Sequence, residues 1–209
     1  MYFFDKYLSK SKEKKLIDLG CGEMPYRNSI EPKLGEYIGA DLPGNTIADT
    51  TIDPDSNRCN DLNDGIADIV LSIQVLEHVK DPGKYLQEAY RILKKDGYLL
   101  LSTHGHWKYH PDPIDYWRWT AAGLSELLTV NGYEIVEIKG VFGLLPASMQ
   151  LFQDAVLISF PFVKIWGKVF ISIMQLSIYI SNKFVLHSKT LRDHANKDAS
   201  VFFILGKKI

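Results

Sequence analysis

Between residues 15 and 141 short apolar runs alternate with segments of helical periodicity, a pattern that specifies a parallel α/β sheet. "KLIDLG" (15–20) is a buried strand entering a glycine turn. "EYIGADL" (36–42) is a second strand, ending in an acid. "TIADTTID" (46–53) is a weaker third, "ADIVLSIQV" (67–75) a strong fourth and "GYLLLST" (97–103) a fifth. Between the last two, Asp81 is a predicted N-cap, Pro82 suits the first helical position, and Leu86, Ala89, Tyr90 and Leu93 share one face. Gly97 is predicted to end that helix. Thr120 is predicted to cap "AAGLSELLTVNG", "YEIVEIKGV" (133–141) to form a sixth strand and "SVFFILGKK" (200–208) to close the sheet. A mainly helical insert precedes that last strand, at about 142–199.

Bulk properties narrow the function classes. A chain of 209 residues fits one domain, 1–209, with the insert inside it. A net charge of -1 gives no basic excess with which to neutralise nucleic-acid phosphates, so no nucleic-acid partner is expected. Cys21 and Cys59 lack metal or redox spacing and read as reduced thiols of a cytoplasmic protein. The opening residues lack the pattern of a secretory leader and read as a short helix or arm.

"DLGCG" (18–22) places two glycines at the first strand–helix turn, where bare backbone can meet a ligand. Asp18 sits at an apolar strand end, where an unpaired carboxylate is costly. Asp41 ends the second strand about twenty residues on, where it can grip a ribose. Both a nicotinamide dinucleotide and S-adenosylmethionine suit that geometry. The dinucleotide fingerprint wants a third glycine where this chain has Pro25. An acid two residues before the first glycine better suits the cationic amino-acid end of S-adenosylmethionine.

With these residues in view, the chain resembles the class I S-adenosylmethionine-dependent methyltransferases, and among them the small-molecule branch often called the methyltransferase type 11 group. Four blocks carry the resemblance in order across most of 15–138: "LIDLGCGEMPYR", "YIGADLPGNTIADTTID", "ADIVLSIQVLEHVKDPGKYLQEAYRILKKDGYLLLST" and "HPDPIDYWRWTAAGLSELLTVNGYEIVEI". It implies a Rossmann-like three-layer α/β fold around a mostly parallel seven-stranded sheet whose seventh strand is antiparallel. It also implies S-adenosyl-L-methionine as cofactor. Gly20 and Gly22 would face its methionine moiety, Asp18 its ammonium, Asp41 the ribose and Gln74 the methionine end. Asp53 would approach the adenine amine. Because "PDSNRCNDLNDGI" departs from the family pattern, Asp61 is the alternative there. In the family the Glu77–His78 pair anchors a turn.

"HGHWKYHPDPIDYWRWT" (104–120) crowds three histidines, three tryptophans and two tyrosines into a loop after the fifth strand. Ligands of open α/β sheets bind outside such strand ends. In one reading the aromatics pack the loop onto the sheet and Asp115 pairs structurally with Arg118. In another the loop walls an acceptor pocket, with His110 or His104 as base and Arg118 clamping an anionic group. A third has His104, His106 and His110 converging on a metal. No carboxylate or cysteine pattern supports that, and no metal is expected.

The insert is apolar over 156–185, broken by Lys164, Lys168, Gln175 and Asn182-Lys183. Only fourteen uncharged residues separate Lys168 from Lys183, fewer than a spanning helix needs. Lys164, Lys168, Ser172, Gln175 and Asn182 make a narrow polar stripe beside a wide apolar face. That face reads as a buried helix pair or homodimer surface. The alternative is an interfacial helix meeting anionic lipid, peripheral at the inner face of the membrane. The function expected is methyl transfer to a small-molecule acceptor, at oxygen, with a sugar-like or lipid-linked acceptor as its extension. The alternatives are a nicotinamide-dependent oxidoreductase and a non-catalytic relative that binds S-adenosylmethionine.

Overall fold

The computed structural model describes residues 3, 6–7, 13–160 and 164–209. Most of the expected N-terminal arm, and the side chain of Lys164, lie outside the described residues. Seven strands form one sheet: β1 (Lys14–Leu19), β2 (Gly35–Asp41), β3 (Thr50–Thr51), β4 (Ala67–Ile73), β5 (Leu93–His104), β6 (Tyr133–Gly143) and β7 (Ala199–Lys208). Their order is β3-β2-β1-β4-β5-β7-β6. The pairings from β3 through β5 are parallel, whereas β7 runs antiparallel to both β5 and β6. The expected seven-stranded, mostly parallel sheet with an antiparallel last strand is therefore present.

Helices cover both faces, which is why strand residues on either side of the pleat are apolar. On one face Ile17, Val70, Leu99, Leu101 and Ile204 pack with Leu86, Ala89 and Ile92 of α2 (Pro82–Ile92) and Leu124 and Leu128 of α3 (Ala121–Val130). On the other, Leu16, Ile69, Leu71, Leu100 and Leu205 pack with Ile30 and Leu34 of α1 (Arg27–Leu34). Asp81 caps α2 by accepting from the Lys84 N–H at 3.1 Å, and Thr120 caps α3 through the Gly123 N–H at 3.0 Å. The α2 terminus differs from expectation. The helix stops at Ile92, and Asp96, not Gly97, takes the positive φ of 61° in the turn. The Lys208 ammonium binds the carbonyls of Tyr90 and Leu93, supplying partners that the helix end lacks.

The insert is helical as expected: α4 (Leu144–Ser159), α5 (Lys164–His187) and α6 (Lys189–Ala195). A Cβ on Gly140 of β6 would lie 1.7 Å from the Ala195 carbonyl oxygen, a backbone approach that only glycine permits. Here α6 is pressed against the sheet. The expected polar stripe turns partly inward, with the Gln175 amide donating to Gln150 and Gln153 of α4 at 3.1 Å each. The expected buried helix pair is realised on one stripe alone, through Ile178 and Val185. The count of uncharged residues also understates α5. It runs 24 residues, and Gly167–His187 is long and apolar enough, by length and composition, to cross a membrane.

Candidate active site

A cavity of about 1260 Å³ opens outside the carboxyl ends of β1, β2 and β4. It is lined by Asp18, Gly20, Gly22, Asp41 and Gln74, and also by His78, His110, Tyr116 and Trp117 from the turn after β4 and the loop after β5. Five of the expected cofactor residues are thus brought together.

Gly20 has a φ of 80°, and a Cβ there would meet Val75 Cγ2 at 2.6 Å, so both conformation and space call for glycine. Gly22, with a φ of 52°, has nothing within 4 Å of a Cβ, so its cavity side is bare. The two N–H groups point inward, however. Gly20 N–H donates to the Ala40 carbonyl at 2.8 Å and Gly22 N–H to Asp41 Oδ2 at 2.8 Å. What this turn offers a ligand is its Cα atoms and carbonyls. Asp41 is itself held in place by Gly22, by Leu42 N–H at 2.7 Å and by the Asn45 amide at 2.7 Å. A carboxylate has about four acceptor positions, so Asp41 keeps one for a ribose hydroxyl. The holding role of Asn45 escaped the sequence reading; the "PGN" turn (43–45) that precedes its side chain was the available signal. Gln74 adopts a φ of 57°, uncommon for a residue with a side chain. Its amide is fixed on Ser102 Oγ at 2.9 Å.

Asp18 is 2% exposed and accepts a hydrogen bond from the Tyr37 hydroxyl. Burial drives its pKa from 3.8 up to about 6, the Tyr37 bond opposes that, and nearby Asp41 adds to it. A carboxyl so displaced leaves the native state about 3 kcal/mol less stable at neutral pH than a carboxyl of ordinary pKa would. The native state therefore loses stability as pH rises from 3.8 towards 6, and a cation in the cavity restores it. The cationic amino-acid end of S-adenosylmethionine has that charge, and the residues fit the group on this observation.

Asp53 and Asp61, the expected adenine contacts, are both outside the cavity wall. Asp53 Oδ1 accepts from Asp55 N–H at 3.0 Å and Ser56 N–H at 2.8 Å, closing an Asx turn. Those bonds to Ser56 hold its carboxyl below the usual range. Asp61 accepts from Thr50 Oγ1 at 3.2 Å. Ile52, Asp55 and Asn57 line that end of the cavity instead.

The crowded loop is pinned from beneath by the turn at Leu76–His78. The Glu77 carbonyl accepts the N–H groups of Tyr116 at 2.8 Å and Trp117 at 3.2 Å, and His78 Nδ1 meets the Ile114 carbonyl at 2.8 Å. Trp117 Nε1 donates to the Val79 carbonyl at 2.8 Å. Arg118 points away from the cavity. Its five N–H donors match five acceptors inside the loop: both Asp115 oxygens and the carbonyls of Trp107, Lys108 and Trp117. The guanidinium holds the Asp115 carboxyl down at about 2. Arg118 is therefore the structural partner of Asp115 that one reading expected, and not the anion clamp of the other.

The histidines separate by environment. His106 pairs with Asp198, away from the others. His104 is 6% exposed, stacks on Trp107 and sets Nδ1 2.8 Å from Glu77 Oε1, so it lies behind the cavity wall. His110 lines the cavity, its ring edge-on to His78 at 5.0 Å and to His104 at 4.8 Å. Burial, then the neighbouring imidazoles His104 and His78, hold its pKa below 6.5 and keep it a neutral acceptor at neutral pH. Among the described residues Glu77, His104 and His110 present ligand atoms within 4.8 Å of one another, while His106, the third histidine of the metal reading, stands apart on Asp198.

Residues 2–137 match a family model described as a methyltransferase domain. A "Probable S-adenosylmethionine-dependent methyltransferase" of Mycolicibacterium smegmatis is 29% identical over 140 residues, covering 61% of this chain and 54% of its own. A ubiquinone biosynthesis O-methyltransferase of Bradyrhizobium diazoefficiens is 29% identical over 45% of this chain and 42% of its own. The chain thus spans about half the length of the curated relatives it matches. Phosphoethanolamine N-methyltransferase 2 of Haemonchus contortus, solved with S-adenosyl-L-methionine, superposes with a TM-score of 0.59 at 16% identity, covering 99% of this chain and 51% of its own. That likeness is one of fold. With the glycine turn, the buried Asp18 and the strand-end Asp41 lining one cavity, and a methyltransferase-domain match over more than half its length, the chain belongs to the class I S-adenosylmethionine-dependent methyltransferases.

Proposed function

We propose that this protein methylates a hydroxyl oxygen of a small-molecule acceptor, sugar-like or lipid-linked, with His110 as the base. The observation that supports this most is His110 in the lining of the cavity that Asp18, Gly22 and Asp41 also line, with burial and two neighbouring imidazoles holding its pKa down. S-adenosylmethionine, when bound, would supply a methyl carbon on a positively charged sulfur, which would keep the electron pair of the broken carbon–sulfur bond and leave as a neutral thioether. The chain's own residues do the rest. Asp18 offers its carboxylate to the ammonium, Asp41 its free acceptor position to a ribose hydroxyl, and Asp55 a carboxylate at the Ile52 end of the cavity for the adenine amine. The rigid loop holds the acceptor in line, the positional requirement of a displacement at carbon. The acceptor oxygen gains the methyl group as its O–H bond breaks, and the proton passes to a ring nitrogen of His110. Tyr116 and Trp117, 42% and 40% exposed, present flat apolar surfaces that suit a ring-shaped acceptor.

Incubation with methyl-labelled S-adenosylmethionine and a panel of sugar, phenol and polyprenol-linked hydroxyl acceptors, with their amine counterparts alongside, tests the proposal. Label is expected in an alkali-stable ether on one of these classes. Transfer confined to amines would refute the oxygen assignment. The same assay after chelator treatment is expected to lose no activity, because Glu77 and His104 act as a protein-only pair.

A further inference from the structure

We propose that the outer face of α4 and α5 docks flat onto an anionic lipid bilayer. Val169, Ile173, Leu176, Ile180 and Phe184 follow one another at three- and four-residue steps along α5, and each is more than half exposed. On the opposite stripe Ile178 and Val185 are buried against the protein. Only 11% of the most apolar part of the helix is buried. Phe152 and Ile158 of α4 add two more apolar side chains, 59% and 75% exposed. A contiguous apolar surface of this extent needs a cover.

The charge beside it identifies that cover. Residues 155–192 hold Lys164, Lys168, Lys183, Lys189 and Arg192, five of the chain's 24 basic residues and none of its 25 acidic ones. A net charge of -1 for the whole protein thus conceals a cationic segment against an acidic remainder. Lys168 and Lys183 are exposed at either end of the apolar stripe, and the Lys183 ammonium lies 4.9 Å over the Tyr179 ring. Apolar face, aromatic edge and flanking lysines form the pattern of a helix lying at a lipid–water interface. A second copy is a poorer cover, since two-fold pairing along α5 would bring its lysines together with no acid on that helix to pair them.

Topology excludes a crossing. β6 precedes the insert, β7 follows it, and the two are antiparallel neighbours in one sheet. A single passage of α5 through the bilayer would put them on opposite sides. A double passage would need α4 to span as well. Its 16 residues reach about 24 Å, short of a hydrocarbon core of about 30 Å. Asp154 of α4 is moreover ion-paired with Lys108 at 2.8 Å. That pair also ties the insert to the loop bearing His110.

Co-sedimentation of the full chain with phosphatidylcholine vesicles, with and without about 30 mol% phosphatidylglycerol, tests the inference independently of the acceptor. Binding is expected to be at least about 10-fold stronger to the anionic vesicles, to fall in about 1 M salt, and to be released by alkaline carbonate. The double variant Ile173→Glu, Phe184→Glu is expected to abolish it while binding S-adenosylmethionine as before. Equal or absent sedimentation with the two vesicle types overturns the inference, as does carbonate-resistant binding. A lipid-indifferent dimer dissolved by the double variant would assign the face to a second copy instead. Should the variant not fold, the lipid and salt dependence of the unaltered chain decides.

Discussion

Glu77→Ala is expected to destabilise the fold by about 1–3 kcal/mol, the range for leaving buried polar groups without partners. The Glu77 side chain is fully buried, accepts from Thr103 Oγ1 at 2.9 Å and sets Oε1 2.8 Å from His104 Nδ1. Alanine would leave a hydroxyl and an imidazole without partners where water does not reach. It would also open space beneath the turn whose carbonyl holds Tyr116 and Trp117. Burial alone would raise the carboxyl, but its contacts with His104 and Thr103 outweigh this and leave its pKa below the ordinary glutamate value. Its stabilising contribution is therefore present above that value and lost as pH falls below it. Urea unfolding at neutral pH measures the loss, and Glu77→Gln, which keeps shape and acceptor, should recover part of it. A variant as stable as the parent but inactive would instead make Glu77 a catalytic residue.

His110→Ala is expected to reduce the turnover number about 10²–10⁴-fold, the usual contribution of a positioned base. Affinity for S-adenosylmethionine should not change, because His110 comes from the loop after β5 and not from the elements that carry the cofactor residues. The lowered pKa predicts a rate that is level at neutral pH and declines only below 6.5, and the variant should lose that acid limb. His104→Ala offers the contrast. Its ring is behind the cavity wall against Glu77, so its loss should appear first in stability. If His104→Ala removed the acid limb and His110→Ala did not, the two roles would be reversed.

The sheet was legible because strands covered on both faces read as continuous apolar runs. The two helix caps were legible because Asp81-Pro82 and Thr120 act through bonds local in sequence. The third strand shrank to Thr50–Thr51 because the Asp49 carboxylate takes the Gly39 N–H and the Arg27 guanidinium, drawing the preceding residues off the ladder. Asp53 was misplaced although "DPDS" (53–56) carries an Asx-turn signal, since the side chain of Ser56 competes for the same carboxylate. Arg118 was legible only in part, since its pairing with Asp115 was one of two roles open to it. Whether a guanidinium faces a ligand or three carbonyls of its own loop depends on a path that one sequence does not encode locally. Tyr37 was hidden for a related reason: a buried aromatic in a strand looks the same whether or not its hydroxyl ends on a carboxylate.

The buried Asp18 carboxylate awaits a cation beside a bare glycine turn, and calorimetric titration with S-adenosylmethionine tests that directly. Binding of one equivalent is expected at pH 7.5, weakening as pH falls through about 6, where Asp18 takes up its proton. Asp41→Asn should weaken it further at either pH. Retention of NADH with no binding of S-adenosylmethionine, or an affinity indifferent both to acid and to Asp41→Asn, would contradict the assignment.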